Sequence, residues 1–383
     1  MRTRLVNGRV LIDGALRDDV AIVIDGGRIA AIEDHAGRAT DGDTDLEGAI
    51  LAPGFIDTQV NGGGGALFNA DPTVDCIATI GAAHRRFGAT GFLPTLISDD
   101  LEVVDRGIEA VEAAIARGVP GVLGIHIEGP FLNASRKGVH DASKFRTLDD
   151  DAIALLTRLT SGRTLVTLAP ELAPPGAVRT LAGRGVIVAA GHTDAAYEQV
   201  RAALDDGLAG FTHLYNAMTQ LGSRTPGAVG AALEDRDSWC GLIVDGHHVD
   251  PVVLKLALRC RPRNRFMLVT DAMPSVGSPE DHFMLQGRRI TVRDGLCLDP
   301  DGVLAGSDLN MAAAVRNARD LMDLDLPSAV ALATANPAEF LGLGAVRGRI
   351  EPGFVADLAL LDDDLMVVET WIGGRRLRNA AAN

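Results

Sequence analysis

The sequence predicts an α/β protein built on a (β/α)8 barrel, with a small β-sandwich-like domain made from both ends of the chain. In the middle of the chain, about eight short apolar runs alternate with amphipathic helical segments, which is the rhythm of such a barrel. At both ends, apolar stretches are separated by Asn-Gly, Asp-Gly and Gly-Gly turns. A doubly wound open sheet is the alternative, but no GxGxxG leads from the first predicted strand into a helix.

The two ends of the chain each contain too few strands to form a stable domain alone. "TRLVNGRVLIDG" and "VAIVIDGGRIAAIED" lie near the N-terminus, and "GFVADLALLDDD" and "MVVETWIGGRRL" lie near the C-terminus. We therefore expect residues 1–52 and 346–383 to form one small β domain. The catalytic barrel then occupies residues 53–345.

The predicted barrel strands are "ILAPGFIDTQ", "TGFLPTL", "VPGVLGIHIEG", "TLVTLAP", "GVIVAAGH", "LAGFTHL", "WCGLIVDG" and "RFMLVTDA". Helical segments lie between them; "TDAAYEQVRAALDDG", for example, has Thr193 or Asp194 as its N-cap and ends at Gly207. The segment "FMLQGRRITVRDGLCLDPDGVL" interrupts this rhythm. It predicts a β-hairpin insertion near residues 282–304.

Composition and charge exclude several kinds of partner. The net charge of −15 repels nucleic acid and anionic membranes, so a small-molecule substrate is expected. No apolar run approaches the roughly 20 residues that span a bilayer, and the N-terminus lacks the apolar core of a signal peptide. The cysteines form no CxxC and are expected to be buried free thiols in a reducing cytoplasm; they are Cys76, Cys240, Cys260 and Cys297.

Polar residues with ligand chemistry end four of the apolar runs. Glu128 ends "VLGIHIE", His192 ends "VIVAAGH", His213 ends "GFTH" and Asp271 ends "FMLVTD". Taken alone, a histidine after an apolar run is more often a core or capping residue, and Asp271 is equally well a cap of the next helix. A lone Glu128 is harder to explain structurally, because carboxylates are rarely buried unpaired. In a parallel barrel, however, the strand tips converge on one face, and that face carries the active site.

Two imidazoles and one carboxylate match the ligands of a catalytic divalent ion that keeps an open position. We expect one ion per subunit, with Zn²⁺ first and Fe²⁺, Co²⁺ or Mn²⁺ as alternatives. Asp271 lies on the same rim, where it can take a proton from water.

The stretch "DTQVNGGGGA" admits two interpretations. As a phosphate loop it lacks the Lys-Ser/Thr of a Walker motif. As the tip of the first barrel strand, it places Gln59 and Asn61 on one side, because they alternate with Val60. Amides are weak metal ligands and good hydrogen-bond partners, so both are expected to lie beside the metal site. The glycines are expected to allow a sharp turn and to keep bulk out of the substrate pocket.

Six motifs, in order over nearly the whole chain, resemble the N-acetylglucosamine-6-phosphate deacetylase family of the amidohydrolase superfamily. They are "PGFIDTQVNG", "HIEGPF", "GHTDA", "THLYNAM", "DGHHV" and "LVTDAM". The resemblance implies hydrolysis of the acetamide of N-acetyl-D-glucosamine 6-phosphate to D-glucosamine 6-phosphate and acetate. The reaction would serve amino-sugar catabolism or recycling.

The resemblance also implies roles for individual residues. Glu128, His192 and His213 match the metal ligands, and Asp271 matches the general base that then acts as the acid. His140 matches a histidine that binds the substrate and polarises its carbonyl. Many superfamily members have histidines where this chain has Gln59 and Asn61, and use them for a second metal; the amides here imply a single ion.

Further positions match the family's substrate contacts, and some of these contacts imply a homodimer. They are Asn216 and Ala217 in "YNAM", Arg224 in "SRTPG", His248 in "DGHHV", and Leu309 and Met311 in "GSDLNM". Arg224 and His248 match phosphate contacts, and Leu309 and Met311 match a loop that lines the acetyl pocket. Phosphate contacts in this family can come from the neighbouring subunit. Composition alone favours a solvated surface charge at Arg224.

Two other functions are considered. Another amidohydrolase, acting on a cyclic amide or an N-acyl amino acid, would typically show a His-x-His after the first strand and a bridging lysine, and this chain has neither. A non-catalytic barrel would have lost one or more ligands, and all are present. Among the remaining histidines, His126 is expected to be a hydrogen-bonding partner of Glu128, whereas His35, His84 and His282 are expected at the surface.

Overall fold

The computed structural model describes residues 2–35 and 39–378. Up to the end of the barrel, the strands are β1 (Thr3–Val6), β2 (Arg9–Ile12), β3 (Ala15–Arg17), β4 (Val20–Asp25), β5 (Arg28–Asp34), β6 (Asp43–Asp45), β7 (Ile50–Pro53), β8 (Phe55–Val60), β9 (Gly62–Gly63), β10 (Ala66–Leu67), β11 (Ala89–Ile97), β12 (Gly124–Glu128), β13 (Arg163–Leu168), β14 (Ile187–Ala190), β15 (Gly210–Phe211), β16 (Trp239–Leu242) and β17 (Phe266–Leu268). The later strands are β18 (His282–Leu285), β19 (Arg288–Arg293), β20 (Leu296–Leu298), β21 (Leu304–Ser307), β22 (Leu358–Leu361), β23 (Val367–Ile372) and β24 (Arg375–Arg378). The α-helices are α1 (Val74–Arg85), α2 (Leu101–Ala116), α3 (Asp150–Leu156), α4 (Ala177–Gly183), α5 (Tyr197–Asp205), α6 (Gly227–Glu234), α7 (Pro251–Cys260), α8 (Met311–Met322), α9 (Leu326–Ala333) and α10 (Ala335–Phe340).

Eight parallel strands, β8 and β11 to β17, follow one another in chain order around a barrel. The barrel closes where the end of β8 meets the segment after β17. There Val60 pairs in parallel with Ala272, and the amide of Asp271 donates to the carbonyl of Gln59 at 3.0 Å. We call this junction of Gln59, Val60, Asp271 and Ala272 the seam. The predicted (β/α)8 architecture is confirmed.

Both ends of the chain build a second layered unit beside the barrel. Its sheets have the strand orders β5-β4-β1-β6 and β24-β23-β22-β7-β2-β3. In the second sheet β7 pairs antiparallel with β22, so that Leu51 lies opposite Leu360. A separate apolar core, which includes the buried Leu5, Ile22 and Trp371, holds this unit together. The predicted sandwich-like unit from both ends is therefore confirmed. Its proposed limits stay a prediction, since residues 1, 36–38 and 379–383 lie outside the described part.

The insertion after β17 is larger than the predicted hairpin. Strands β18 to β21 form an antiparallel sheet of four strands that extends to Ser307. We call these four strands the inserted sheet. The sequence Leu-Ala-Gly-Ser of β21 is short and does not alternate, so nothing in it marked a strand. The turn between β18 and β19 has Gln286 and Gly287 at φ 47° and 79°, as a tight hairpin turn requires.

The glycine stretch forms the small hairpin of β9 and β10. Gly64 and Gly65 lie at φ 62° and 84°, so the predicted sharp turn is present. A Cβ on Gly63 would lie 2.8 Å from ring atoms of His84, which is buried and has Nε2 2.8 Å from the carbonyl of Gly62. The surface assignment of His84 was therefore wrong. Packing against this ring, rather than space for a substrate, explains Gly63.

Two smaller expectations concern the thiols and the membrane. Cys76, Cys240 and Cys297 are buried as expected, whereas Cys260, the last residue of α7, is exposed. Within residues 2–35 and 39–378, no helix has both the length and the apolar character needed to cross a bilayer.

Candidate metal centre and active site

A cavity of about 380 Å³ opens at the C-terminal ends of the barrel strands. Among its lining residues are eight that the sequence singled out: Glu128, His140, His192, His213, Asn216, Ala217, His248 and Asp271. They are spread along the chain from Glu128 to Asp271. The strand tips thus bring the candidate residues to one place.

The backbone at three of these strand tips is strained. His192, His213 and Asp271 have φ values of 48°, 32° and 53°, in the left-handed region that residues other than glycine seldom adopt. Such conformations persist only where the surrounding structure enforces them, and they concentrate at functional sites. Here each left-handed residue comes shortly after the end of its strand, and each one lines the cavity.

Glu128, His192 and His213 form a compact triangle of donor atoms. The Oε1 atom of Glu128 lies 2.9 Å from Nε2 of His213 and 3.4 Å from Nε2 of His192, and the two Nε2 atoms are 3.1 Å apart. Donors on a tetrahedral ion with bonds of about 2.0–2.1 Å are separated by about 3.3 Å. All three side chains are buried. The group therefore fits a divalent metal ion of the zinc type.

The tautomer of His192 also suits a ligand. Its Nδ1 lies 2.8 Å from the carbonyl oxygen of Arg136. A carbonyl only accepts, so Nδ1 must carry the proton and Nε2 must present its lone pair to the triangle. A second hydrogen bond of this kind orients most metal-binding histidines.

His140 competes with His213 for the third ligand position, because Glu128, His140 and His192 also place donor atoms within 4.8 Å of one another. Hydrogen bonding decides between them. The backbone N–H of Ser98, which can only donate, lies 3.2 Å from Nδ1 of His140, and the Ser98 hydroxyl lies 2.8 Å from the same atom. Nδ1 is therefore an acceptor, and the neutral ring carries its proton on Nε2. Burial, followed by the nearby His192, lowers the pKa of His140 well below its usual value, which keeps the ring neutral. The Nε2–H of His140 is thus placed to donate a hydrogen bond, and His213 is the better candidate for the third ligand.

Two amides connect the metal centre to Asp271. The Nε2 of Gln59 donates to both oxygens of Glu128 at 3.2 and 3.1 Å and to Oδ1 of Asp271 at 3.1 Å. The Nδ2 of Asn61 donates to the same Oδ1 at 2.7 Å. Both amides therefore use their N–H groups on carboxylates, which is consistent with the hydrogen-bonding role expected from their residue type.

Asp271 has an environment that suits proton transfer. Burial, reinforced by the charge of Glu128, raises the pKa of Asp271 from 3.8 to about 6. A carboxyl group with a pKa near the working pH can both accept and return a proton. Asp271 also lines the cavity beside the triangle.

His248 reaches the cavity from the loop that follows β16, and Asp245 orients it. The Nδ1 of His248 lies 2.6 Å from Oδ2 of Asp245, while Oδ1 of Asp245 accepts the backbone N–H groups of His247 and His248 at 2.9 Å each. Burial raises the pKa of Asp245, but the bond to His248 outweighs this and lowers it to about 2. The sequence analysis missed Asp245, although it ends the apolar run "WCGLIVD".

Several predicted residues lie away from the cavity. Arg224 is exposed in the loop before α6, and Leu309 and Met311 are buried and do not line the cavity. Val303, Leu304 and Gly306 of the inserted region line the cavity instead, and nothing in their sequence marked them. The hydrogen-bond partners of His126 are two threonines and not Glu128: its nitrogens lie 2.8 Å from Thr167 Oγ1 and 3.4 Å from Thr95 Oγ1.

The fold and the site together define a barrel hydrolase with a buried group of one glutamate and two histidines that could bind a metal ion. An aspartate follows the last barrel strand. The chain belongs to the amidohydrolase family, whose model matches residues 50–377.

Three known proteins illustrate its relationships. The chain is 42% identical to an N-acetylgalactosamine-6-phosphate deacetylase of Shewanella sp. (strain ANA-3), over 97% of this chain and 95% of the relative. The N-acetylglucosamine-6-phosphate deacetylase of Pasteurella multocida has a solved structure that superposes with a TM-score of 0.95 at 31% identity, over 99% of this chain and 100% of the other. The Mycobacterium smegmatis enzyme, solved as an aspartate-to-alanine variant in complex with N-acetyl-D-glucosamine 6-phosphate, has a TM-score of 0.89 at 33% identity, with coverage of 99% and 100%.

Proposed function

We propose that this amidohydrolase cleaves the acetamide of N-acetyl-D-glucosamine 6-phosphate, giving D-glucosamine 6-phosphate and acetate. The observation that carries the proposal is the convergence of the Glu-His-His triangle, the Nε2–H of His140 and the carboxyl of Asp271 on one cavity. The names of the relatives support the same chemistry. The galactosamine epimer is the second candidate substrate, favoured by the 42% identity to a deacetylase of that epimer.

Glu128, His192 and His213 would hold one divalent ion per subunit, with Zn²⁺ proposed first and Fe²⁺, Co²⁺ or Mn²⁺ as alternatives. When bound, the ion would act as a Lewis acid on the amide carbonyl and lower the pKa of water at the site. A single ion is proposed because Gln59 and Asn61 present amide N–H groups to carboxylates where a second ion would need imidazole ligands.

Asp271 moves the proton. It accepts a proton from the attacking water as the new C–O bond forms at the acetyl carbon. It then delivers this proton to the sugar nitrogen as the C–N bond breaks, since an amide anion is too basic to leave unprotonated. Gln59 and Asn61 both donate to Oδ1 of Asp271. These two bonds fix the orientation of the carboxyl group and leave Oδ2 for proton transfer.

His140 stabilises the charge that develops on the carbonyl oxygen. Its Nε2–H faces the cavity, because Nδ1 is fixed on Ser98. A preoriented donor of this kind acts where the charge is greatest, in the transition state, and needs no rearrangement.

The sugar phosphate supplies binding energy at a distance from the reacting bond. We propose that His248, Asn216 and Ala217 contact it from within the same subunit. Arg224 is exposed and lies outside its own cavity, which supports a homodimer in which this arginine reaches the neighbouring subunit's site. Leu309 and Met311 would support the acetyl pocket from behind. The free thiols and the acidic surface support a cytoplasmic location.

The decisive experiment pairs metal analysis by mass spectrometry with an acetate-release assay. Both N-acetylhexosamine 6-phosphates and their unphosphorylated forms are compared, together with a cyclic amide and an N-acyl amino acid. We expect about one ion per subunit and acetate release from a phosphorylated sugar only. No release from either phosphorylated sugar, or hydrolysis of the last two substrates in its place, would overturn the proposal.

A further inference from the structure

The hairpin turn between β18 and β19 of the inserted sheet donates hydrogen bonds to the backbone of two residues beside His140, Ser98 and Val139. The Nε2 of Gln286 donates to the carbonyl of Ser98 at 2.7 Å, and NH2 of Arg288 donates to the carbonyl of Val139 at 2.6 Å. Ser98 is the residue that fixes Nδ1 of His140, and Val139 directly precedes His140. Each contact therefore ends next to a group that orients the imidazole.

Asp299 orients Arg288 and also shapes the cavity wall. NH1 of Arg288 donates to Oδ2 of Asp299 at 2.8 Å, and the Asp299 side chain is only 2% exposed. The other oxygen, Oδ1, accepts the backbone N–H groups of Asp301 and Val303 at 3.0 and 2.8 Å. This turn leads into β21 and places Val303 against the cavity. One ion pair thus connects two parts of the wall, the segment before His140 and the turn before β21.

This ion pair is expected to orient the groups that it joins more than to stabilise the fold. A partly exposed Arg–Asp pair contributes little to stability by itself, and the Arg288 side chain is 35% exposed. A charged donor on a carbonyl, however, gives a strong and directional hydrogen bond. A displacement of about 1 Å at a catalytic group reduces the rate by up to about a hundredfold.

We propose that Arg288, oriented by Asp299 and assisted by Gln286, is a positioning residue for His140. Arg288 lies outside the residues that line the cavity, so it acts through the backbone at Val139 and not on the substrate. The inference rests on the proposed function, because it assumes that His140 acts on the acyl carbonyl.

The first test compares Arg288→Met with Arg289→Met. Arg289 is the next residue along β19, is exposed and offers the same substitution away from the His140 loop. We expect Arg288→Met to lower kcat for the phosphorylated substrate by about tenfold or more with KM changed by less than about threefold, and Arg289→Met to match the parent. Arg288→Lys should recover part of the loss, because one ammonium group can serve Asp299 or Val139 but lacks the fork that serves both. Equal kcat for both methionine variants would overturn the proposal.

A double-mutant cycle separates positioning from a general structural effect. If Arg288 acts through His140, Arg288→Met should reduce kcat by less than about twofold when His140 is already alanine. A full and independent loss in that background would show that Arg288 acts elsewhere.

Hydrogen exchange provides a readout that does not depend on turnover. The backbone amides of residues 137–141 should exchange faster in Arg288→Met than in the parent, and at the parent's rate in Arg289→Met. Unchanged exchange in Arg288→Met would overturn the positioning role. A parent protein that releases no acetate would overturn the proposed function instead, and the exchange result would still test the contact with Val139.

Discussion

At the scale of single residues, the hydrogen bond at Nδ1 separates the roles of two histidines in one cavity. Nδ1 of His192 donates to a carbonyl oxygen, so the lone pair of Nε2 is available to a metal ion. Nδ1 of His140 accepts a backbone N–H, so Nε2 carries the proton and can donate it to a hydrogen bond. The strand-tip positions of His192 and Asp271 were visible in the sequence. The tautomers were not, because the carbonyl that orients His192 lies 56 positions away, at Arg136.

Asp271→Asn tests proton transfer at this scale. Asparagine keeps the shape of the side chain but cannot accept and return a proton, so we expect kcat to fall by at least about a hundredfold while the metal content stays at the parent level. Acetate release and metal analysis on the same preparation check both parts. Asp281→Asn, an exposed change of the same kind on the inserted region, serves as the control. Near-parental turnover of Asp271→Asn would exclude the proposed shuttle.

At the scale of elements, the seam joins the first and last barrel strands and contains Asp271, the proposed base. Asp57 of β8 is fully buried there; its Oδ2 accepts the Thr270 hydroxyl at 2.5 Å, and Oδ1 accepts the backbone N–H groups of Gln59 and Thr270 at 3.2 and 3.3 Å. The alternation of runs and helices was enough to predict the barrel. The same alternation could not predict β21, because the sequence of β21 has no strand pattern of its own. Pairing with β20 and the bond from the Val303 N–H to Asp299 place this strand.

Asp57→Asn should change the pH dependence of stability. Burial raises the pKa of Asp57 from 3.8 to about 7 in the folded chain. The folded state therefore retains a proton that the unfolded state loses, and this contribution to stability is present below about pH 4 and is lost as the pH rises to about 7. Asparagine does not titrate. The free energy of unfolding of the parent, relative to that of Asp57→Asn, should fall between about pH 4 and pH 7, as measured by denaturant titration. A constant difference across that range would contradict the prediction.

At the scale of the whole molecule, an acidic protein has to bind an anionic substrate. With a net charge of −15, attraction must come from a few local cations. The exposed Arg224 is the cation proposed to enter the site of a second subunit, and His248 is proposed to contact the phosphate by a hydrogen bond from within the cavity. The sequence indicated both through family resemblance. Spacing alone could not reveal whether Arg224 serves its own site or a neighbouring one, because that depends on how two surfaces meet.

Mixing two impaired variants tests the proposed dimer. Arg224→Ala lacks the proposed phosphate contact, and Asp271→Asn lacks the base. In a mixed dimer, the site with an intact Asp271 would receive an intact Arg224 from its partner. After unfolding and refolding of an equimolar mixture, acetate release at low substrate concentration should recover to about a quarter of the parent's, since half of the dimers are mixed and each has one complete site. Recovery no greater than the average of the separate variants would place Arg224 in its own subunit's site.

The seam has a consequence for the order in which activity appears during synthesis. Gln59 and Asp271, which share a hydrogen bond across the seam, are 212 positions apart, and β7 finds its partner β22 only near the end of the chain. A nascent chain that already contains Glu128, His192 and His213 still lacks Asp271, the proposed base, and a closed barrel. We therefore expect hydrolysis to begin only after most of the polypeptide has left the ribosome, and chains that end before Asp271 to release no acetate.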